Sequence, residues 1–487
     1  MNTDIRSLEP KSLWNHFANL NAVPRGSKKE EKVIQFMVDF GKKLGLETLK
    51  DPVQNVIIKK PATPGMENRK TVVLQSHLDM VHQKNNDTVF DFDTEGIKMY
   101  IDGDWVTADG TTLGADNGLG VAAIMSILES KDIPHPALEA LFTIDEETGM
   151  TGAKGLEAGY LTGEILLNLD TEDDEEIDIG CAGGIDVTAL GSYLQEELLG
   201  NTMIMSLEVK GLNGGHSGMD IHRGLGNANK IINRLLYESF DFEIKLISIH
   251  GGSLRNAIPR ESKAILAVPV EKLKAFENKI AIATADIKKE FQTVDGGLQI
   301  TLSESDVKIN KAMETHSFIT LLKTLYTAHN GVYRMSPDIA GLVETSNNIA
   351  KVTVENGTIK IECLTRSAVE TSKMDLANAL RSAYELAGYE VTFAGSYPGW
   401  QPNPQSPILS LMTGLYSQLF NKDAQVVACH AGLECGILGQ NYPKMDMISF
   451  GPTIQGAHSP DEKANIPSTQ KFWKYLLDIL KNIPTKS

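Results

Sequence analysis

Cysteine is scarce in this sequence, and its spacing excludes the classes of protein that depend on it. The chain has 487 residues and four cysteines, with no Cys-x-x-Cys pair. They are Cys181, Cys363, Cys429 and Cys435. A disulfide framework or a zinc ribbon needs cysteines that are denser or regularly paired. We therefore expect reduced thiols, as in a cytosolic protein.

Long apolar runs are also lacking. No stretch of the sequence approaches the ~20 consecutive apolar residues of a membrane-spanning helix. Residues 1–6 do not combine a basic start with an apolar core, so they do not have the pattern of a signal peptide. We expect a cytoplasmic protein without a membrane partner.

Positive charge is in deficit: the chain has 46 Lys and Arg residues and 63 Asp and Glu residues, which gives a formal net charge of −17. Nucleic-acid binding depends on neutralising phosphates with Lys and Arg, so we expect no nucleic-acid partner. The acidic residues are spread along the chain, and solubility explains them without a specific ligand.

The chain does have enough apolar sequence for a folded core. Hydrophobic residues make up 41% of it and charged residues 22%, as in soluble globular proteins. A chain of this length exceeds one ordinary core, so its length predicts two domains.

Three short apolar runs each end in acidic or histidine residues. Residues 71–76 lead into His77 and Asp79, residues 138–144 lead into the Asp-Glu-Glu sequence at 145–147, and residues 165–169 lead into Asp170. Such runs are typical of buried strands with a site at the carboxyl edge of the sheet. Asp116 lies between the first two runs and His458 lies near the C-terminus. Together they form a nitrogen and oxygen ligand set without thiolate, which suits two Zn²⁺-like ions.

A pair of metal ions explains why several acids are needed. Two ions about 3.5–4 Å apart need a bridging carboxylate, and a further acid must accept a proton from water. Glu146 and Glu147 are adjacent, so one can ligate while the other faces the water. Asp79 lies two residues after His77, where it can accept the His77 ring N–H.

Each motif alone has a simpler interpretation. A His-x-Asp sequence after a strand can be a structural hydrogen bond, and an acidic pair such as Glu146–Glu147 can be solvated loop sequence. The Asp-Asn-Gly sequence that begins at Asp116 can be a turn. The combination favours a site, because all five potential ligands lie beside apolar or glycine-rich sequence.

These stretches resemble the motifs of the M20 metallopeptidase family and, within it, of the bacterial aminoacyl-histidine dipeptidases. The matching segments occur in the family's order, at residues 76–81, 107–118, 145–153, 168–172 and 456–462. The resemblance implies an α/β fold with two domains: a zinc-peptidase-like catalytic α/β domain and an inserted α+β lid domain. It also implies two divalent metal ions, Zn²⁺ with Co²⁺ or Mn²⁺ as substitutes, and a homodimer formed through the lid domain.

The resemblance also assigns roles within the site. Asp116 would bridge the metals, Glu146 would be the catalytic acid and base, and Asp79 would support His77. The remaining ligands would be His77, Glu147, Asp170 and His458. It stays open whether His77 and Asp170 bind different metals or share the terminal positions with the other two. A cis peptide bond is implied after Asp116.

The pattern of elements changes along the chain. Alternating strands and helices up to about residue 180 predict a largely parallel α/β sheet. Ser27 and Glu30 have the spacing of a capping box, which predicts a helix start, and Asn117 or Gly118 would start another helix. After residue 184 the pattern is α+β, until a Pro- and Gly-containing return linker at 398–402. We expect a catalytic domain of residues 1–183 and 400–487 and a lid and dimerisation domain of residues 184–399.

Four residues outside the metal motifs are candidates for binding substrate. His216 lies between glycines, and related enzymes use the corresponding His to polarise the scissile carbonyl, often across a dimer. Arg366 could clamp a substrate carboxylate, Asn256 is a further polar candidate, and Gly432 resembles part of the family's substrate loop. Two simpler interpretations stay open: His216 could cap a turn, and Arg366 could form a surface ion pair. For the neighbouring His430 and Glu434, a structural hydrogen bond is an equal alternative.

The function indicated is hydrolysis of unblocked dipeptides, with a preference for Xaa-His, by water that two metals activate and Glu146 deprotonates. Two alternatives on the same scaffold are deacylation of N-acyl amino acids and cleavage of tripeptides. An alternative of another class is a non-catalytic protein that binds metal and peptide. Glu146 argues against that class, because a binding protein needs no general base.

Overall fold

The structure is a computed structural model, and it describes residues 2–198 and 200–486. The chain divides into two units, each with its own sheets. Unit 1 comprises Met1–Gly180, Trp400–Ala428 and Leu433–Ser487, and unit 2 comprises Cys181–Gly399 and Cys429–Gly432. Residues 429–432 thus group with unit 2, although the sequence analysis assigned them to the segment 400–487. Within the residues described, no helix combines the length and apolar character that crossing a membrane requires.

The helices are distributed over both units. In chain order they are α1 (Asn2–Ile5), α2 (Lys11–Leu20), α3 (Glu31–Lys43), α4 (Ala115–Glu129), α5 (Thr151–Gly155), α6 (Ala228–Glu238), α7 (Val270–Glu290), α8 (Thr315–Thr327), α9 (Glu370–Leu386), α10 (Pro407–Phe420), α11 (Glu434–Asn441) and α12 (Ile466–Asn482). Short 3₁₀ helices lie at Ile221–Arg223 and Phe240–Phe242. The backbone at Asp116 and Asn117 is not helical, so the regular part of α4 begins at Gly118, as the sequence predicts.

The strands also run through the whole chain. They are β1 (Glu47–Lys50), β2 (Val56–Lys60), β3 (Val72–His77), β4 (Met99–Asp102), β5 (Trp105–Ala108), β6 (Leu138–Thr143), β7 (Ile165–Asn168), β8 (Glu176–Cys181), β9 (Gly183–Ser192), β10 (Gln195–Glu197), β11 (Thr202–Lys210), β12 (Gly215–His216), β13 (Lys245–Gly251), β14 (Ala257–Ile258), β15 (Ser262–Pro269), β16 (Gln299–Glu304), β17 (Lys311–Met313), β18 (Gly331–Met335), β19 (Val343–Glu355), β20 (Thr358–Ser367), β21 (Glu390–Tyr397), β22 (Gln425–Cys429), β23 (Asp446–Ser449), β24 (Ile454–Gln455) and β25 (Lys463–Asn465).

Unit 1 is built on an eight-stranded sheet in the order β1-β2-β6-β3-β7-β23-β8-β22. Strand β3 pairs in parallel with β6 and β7, and β7 pairs in parallel with β23. Every residue of β3, β6 and β7 is buried, which is why these strands are nearly continuous apolar runs in the sequence. Because parallel strands end at the same edge, the polar residues after β3, β6 and β7 are brought together there.

Unit 2 is built on an antiparallel sheet in the order β16-β11-β15-β13-β19-β20-β9-β21, with β18 paired to β19. Helices α6, α7, α8 and α9 pack on this sheet in one hydrophobic core, to which they contribute Leu235, Phe276, Leu321 and Leu380. Helices against an antiparallel sheet make this unit α+β in character. The α/β fold with an inserted α+β unit is therefore confirmed.

The capping box predicted at Ser27 and Glu30 is wrong. Helix α3 begins at Glu31, and the Ser27 hydroxyl instead donates to the Asp79 carboxylate at 2.8 Å. The Glu30 carboxylate accepts the backbone N–H groups of Lys28 at 2.9 Å and Asp145 at 3.0 Å. The two side chains therefore tie the loop before α3 to the segments that follow β3 and β6, a tertiary role that outweighs local capping.

Gly120 marks the close approach of α4 to the sheet. A Cβ at this position would lie 2.8 Å from the Leu169 carbonyl oxygen and in contact with the Ser76 and Asn117 side chains. We expect Gly120→Ala to lower the free energy of unfolding by about 1–3 kcal/mol through overpacking, measured by urea denaturation. The matched control is Gly414→Ala in α10, where no atom lies within 4 Å of the new Cβ. That change should raise stability by up to about 1 kcal/mol, and equal effects at both positions would contradict the packing argument.

Candidate metal centre

The five proposed metal ligands and Glu146 meet at the carboxyl edge of the unit 1 sheet. His77 ends β3, Asp116 lies at the start of α4, Glu146 and Glu147 follow β6, Asp170 follows β7, and His458 lies between β24 and β25. Their nitrogen and oxygen atoms form three groups, each with its members within 4.8 Å of one another. The groups are His77, Asp116 and Asp170; His77, Glu146 and Glu147; and Asp116, Glu147 and His458.

Asp116 lies at the centre, between two imidazoles. Its Oδ1 is 3.1 Å from His77 Nε2, and its Oδ2 is 3.1 Å from His458 Nε2. Asp170 Oδ1 lies 3.5 Å from His77 Nε2, and Glu147 Oε2 lies 2.9 Å from His458 Nε2. These distances place His77 with Asp170 on one side of Asp116 and His458 with Glu147 on the other, while the third group joins His77 to Glu146 and Glu147. The distances favour two shared terminal pairs over an arrangement with His77 and Asp170 on different ions.

The donor set fits two divalent cations. Glu147 Oε1 is buried, and the described part of the chain offers it no hydrogen-bond partner. Burial raises the pKa of Glu147, and it raises the pKa of Glu146 well above its usual range. Burial acts in the same direction on Asp116, but hydrogen bonds from His458 and His77 hold the pKa of that carboxyl below its usual value. Buried carboxylates at this density are stable in the charged form when cations lie among them.

Glu462 anchors the loop that carries Asp116. Its Oε2 accepts the backbone N–H groups of Leu113 at 2.7 Å and Gly114 at 2.9 Å. Its Oε1 accepts those of Ala115 at 2.7 Å and Asp116 at 3.2 Å. Glu462 lies in the matching segment 456–462, but its role could not be predicted from the sequence, because a carboxylate that binds main-chain N–H groups leaves no sequence pattern.

The peptide bond between Asp116 and Asn117 is cis, which confirms what the resemblance implied. The Asn117 side-chain amide donates to the Leu169 carbonyl at 2.8 Å and, in a short contact, to Asp170 Oδ1. Asn117 thus connects the start of α4 to the segment that carries Asp170.

A buried arginine connects the His77 and Asp116 segments. The Arg25 guanidinium donates to the carbonyls of Leu78 and Asp79, both at 3.1 Å, and of Gly114 at 2.5 Å. Burial lowers the pKa of Arg25 to about 10, although the nearby Glu462 and Asp79 carboxylates act to raise it. The side chain therefore keeps its charge at neutral pH. Nothing in the local sequence indicates this role, because the partners are carbonyls far along the chain.

Asp79 contacts both His77 and the acidic pair. His77 Nδ1 lies 3.1 Å from the Asp79 carbonyl oxygen and 3.4 Å from its carboxylate Oδ1. The same carboxylate accepts the backbone N–H groups of Glu146 at 3.1 Å and Glu147 at 3.3 Å. Asp79 therefore fixes the direction of the two acids as well as the ring of His77, and the sequence analysis did not predict the first of these contacts.

In unit 2, Arg366 lies in the interior of the sheet on β20, and its side chain is 4% exposed. It donates to the Tyr397 hydroxyl at 2.8 Å and lies 3.4 Å from Ser217 Oγ. No carboxylate in the described residues pairs with it. The interpretation as a surface ion pair is wrong, because the guanidinium is buried, and Asp186 interacts with it only electrostatically.

The hydrogen bonds of His216 determine which ring nitrogen carries its proton. Nδ1 accepts the backbone N–H groups of Gly218 at 3.3 Å and Met219 at 3.1 Å. Burial and the nearby Arg366 lower the pKa of His216 to about 4. The ring is therefore neutral at physiological pH, and Nε2 bears the hydrogen. His216 does stabilise a turn, as the simpler interpretation holds, and its Nε2 lies 3.4 Å from Nη2 of Arg366.

The other candidates outside the metal motifs have different surroundings. Asn256 is exposed, and its carbonyl accepts the Ser217 N–H at 2.7 Å. Gly432 lies in the 429–432 segment of unit 2. His430 lies 2.8 Å from Ser346 Oγ through Nε2, and burial lowers its pKa to about 3. Glu434 begins α11 in unit 1 and is fully buried. His430 and Glu434 each make buried hydrogen bonds, which supports their structural interpretation.

Comparisons with known proteins agree with this geometry. The family model for "Peptidase family M20/M25/M40" matches residues 73–482. The chain is 44% identical over 485 residues to the cytosol non-specific dipeptidase of Escherichia coli strain K12, covering 99% of this chain and 100% of that protein. It is 43% identical to the aminoacylhistidine dipeptidase of Vibrio alginolyticus, whose crystal structure matches with a TM-score of 0.92 over 99% of both chains.

A tripeptidase structure from Staphylococcus aureus is 16% identical, with a TM-score of 0.56 over 98% of this chain and 99% of that chain, and it shares the fold. The family resemblance inferred from the motifs is confirmed by the model match and by the full-length relatives. The chain belongs to peptidase family M20/M25/M40.

Proposed function

We propose that this chain is a metal-dependent dipeptidase that cleaves unblocked dipeptides and prefers Xaa-His. The observation that carries the proposal is the position of Asp116. One of its carboxylate oxygens contacts His77 and the other contacts His458, and Glu146 lies next to the ligand candidate Glu147. The names of the two full-length relatives support dipeptides as the substrate class. One is called non-specific and the other aminoacylhistidine dipeptidase, so the histidine preference is the finer part of the proposal.

We assign one Zn²⁺ to His77 and Asp170, a second to Glu147 and His458, and the bridging position to Asp116. When bound, the two ions would polarise the peptide carbonyl and make water more acidic at neutral pH. Glu146 accepts the proton of the attacking water and returns it to the leaving amine. Burial raises the pKa of Glu146, His77 opposes this rise, and the Asp170, Glu434 and Glu147 carboxylates add to it; bound cations would act in the opposite direction and favour the charged form that accepts the proton.

Unit 2 supplies the groups that would bind the rest of the substrate. The His216 Nε2–H is positioned by the hydrogen bonds at Nδ1 and can donate to the carbonyl oxygen as negative charge develops on it. Arg366 is buried and lacks a carboxylate partner in the described residues, so it can clamp the free substrate carboxylate bidentately. Asn256 and Gly432 are the further substrate contacts in this assignment. A clamp on the C-terminal carboxylate limits the enzyme to short peptides.

We assign the catalytic role to unit 1 and the lid and dimerisation roles to unit 2. The proposal includes a cytoplasmic homodimer, supported by the family resemblance, by the relative named as a cytosol dipeptidase and by the glycine-flanked loop that presents His216.

The substrate class is tested by a hydrolysis screen in the presence of Zn²⁺, Co²⁺ or Mn²⁺. We expect free dipeptides to be cleaved with the highest kcat/KM for Xaa-His, because a free carboxylate is needed for the clamp at Arg366. Tripeptides and N-acyl amino acids should be poor substrates. Faster turnover of either class than of dipeptides would assign the chain to one of the alternative hydrolases, and no turnover of any would favour a binding protein.

The roles of Glu146 and Asp116 are separated by two variants. Glu146→Ala should retain two metal ions per chain and lose turnover by about 10²–10⁴-fold, because it removes only the proton acceptor. Asp116→Ala should lose both metal and turnover, because each ion loses a shared ligand. Metal is measured by mass spectrometry of the dialysed protein, with the exposed Glu157→Ala as the control. Loss of metal in Glu146→Ala would make Glu146 a ligand and overturn its assignment as the base.

The carboxylate clamp is tested by comparing dipeptides with their C-terminal amides. Arg366→Ala should lower kcat/KM for dipeptides on the order of 100-fold, since a buried charge-assisted pair is lost, and should affect the amides little. The exposed Arg334→Ala is the control for loss of one positive charge from unit 2. Equal losses for dipeptides and amides would show that Arg366 does not bind the carboxylate.

A further inference from the structure

A row of buried polar side chains crosses the unit 1 sheet beneath the metal centre. It starts at Glu434, the first residue of α11, and ends at Asp178 on β8. Between them lie Gln75 on β3, Asn168 on β7, Ser449 on β23 and Thr171 after β7. Glu434 is 0% exposed and Asp178 is 6% exposed. Polar groups at this depth are retained only when their hydrogen bonds are made, and the proposed reaction uses none of them.

Five consecutive contacts join the two carboxyl groups. Gln75 Nε2 donates to Glu434 Oε2 at 2.6 Å, and the Asn168 amide donates to Gln75 Oε1 in a short contact. The Ser449 hydroxyl donates to Asn168 Oδ1. Thr171 Oγ1 then lies 2.8 Å from Ser449 Oγ and 2.8 Å from Asp178 Oδ2.

The number of hydrogens in this row is one fewer than the number of contacts. A hydroxyl has a single hydrogen, and an amide that links two neighbours donates to one and accepts from the other. The four linking side chains therefore provide four hydrogens for five contacts. The fifth hydrogen has to come from a carboxyl group at one end.

We propose that the buried Asp178 carboxyl is protonated and supplies the fifth hydrogen of this row, which joins the strands that precede the metal-ligand candidates. With the amides oriented as in the structure, every donor points towards Glu434. Glu434 Oε2 also accepts the Thr143 hydroxyl at 2.6 Å, so this oxygen has two donors, while Glu434 Oε1 is buried without a hydrogen-bond partner in the described residues. Asp178 must then donate to Thr171. Rotating the side-chain amides of Gln75 and Asn168 by 180° would reverse every donor and move the proton to Glu434. It would also remove the hydrogen bond from Gln75 Nε2 to Thr143 Oγ1 at 3.1 Å.

Electrostatics allow this distribution at neutral pH. Burial raises the pKa of Asp178 to about 7, with Glu176 acting in the same direction; the Thr171 hydroxyl opposes the rise only where it donates to the Asp178 carboxylate, the reverse of the direction proposed. Burial also raises the pKa of Glu434 to about 7, although the Thr143 hydroxyl and His77 act against it, while Asp170 and Asp79 add to the rise.

The row lies where it can hold the ligand-bearing strands in place. Gln75 precedes His77 by two residues and Asn168 precedes Asp170 by two, so each pair projects from the same face of its segment. Thr143 ends β6, directly before the segment that carries Glu146 and Glu147. A satisfied row fixes the relative positions of these strands, whereas a missing proton leaves two oxygen atoms in contact without a hydrogen.

The proton on Asp178 has a consequence for stability that depends on pH. A carboxyl whose pKa is raised on folding stabilises the protein fully below its ordinary pKa of 3.8, and that stabilisation is lost as the pH rises to about 7. Asp178→Asn replaces the acidic O–H with an amide N–H, which satisfies the row without a proton. The melting temperature of Asp178→Asn minus that of the unsubstituted chain should therefore increase by a few degrees between pH 3.8 and about 7 and stay constant at higher pH.

Two matched variants complete the experiment on the full-length chain. Glu434→Gln leaves the proton on Asp178 necessary, so adding Asp178→Asn to it should give the same relative rise of the melting temperature with pH. Asp102→Asn, at an exposed position, controls for the loss of one negative charge. No such rise on adding Asp178→Asn, either to the unsubstituted chain or to Glu434→Gln, or an equal rise for Asp102→Asn, would overturn the proposal.

Infrared spectroscopy tests the same proton in the unsubstituted protein, should a variant fail to fold. A protonated carboxyl group gives a C=O band separate from carboxylate bands. At pH 6 we expect such a band to shift in protein labelled with ¹³C-carboxyl aspartate. A spectrum in which aspartate labelling shifts no protonated-carboxyl band would overturn the assignment to Asp178.

Discussion

The mutual repulsion of buried carboxylates around Asp116 is the constraint on which the rest of the site depends. Asp116, Glu147 and Asp170 lie within a few ångströms of the His77 and His458 rings, and Glu146 lies beside them. Such a group is stable only with compensating positive charge, which imidazoles supply in part and two divalent ions would supply in full. The same repulsion, with burial, raises the pKa of Glu146.

Holding these acids together requires a frame that is itself polar. Glu462 binds four successive N–H groups of the Asp116 loop, and Arg25 binds carbonyls of the two segments that carry Asp79 and Asp116. Asp79 fixes the main chain of the acidic pair. Each contact satisfies a buried backbone group that has no partner in a helix or strand, so the frame keeps the loops rigid without regular secondary structure.

Much of this arrangement could be predicted from the sequence, because ligand residues that follow buried parallel strands must meet at one sheet edge. The strands before His77 and Asp170 and the change to an α+β unit leave periodic patterns of that kind. The roles of Ser27, Glu30, Arg25 and Glu462 could not be predicted, because their partners are main-chain groups or side chains distant in sequence. Arg366 was ambiguous for the same reason: only the fold shows that it is buried without a counter-ion in the described residues.

The central claim is that the Asp116 carboxylate bridges two metal ions, and anomalous X-ray diffraction from crystals grown with Zn²⁺ tests it most directly. The account predicts two anomalous peaks about 3.5–4 Å apart, one beside each oxygen of Asp116. The first should lie next to His77 and Asp170, and the second next to Glu147 and His458. A single fully occupied peak, or two peaks of which neither lies within coordination distance of Asp116, would contradict it.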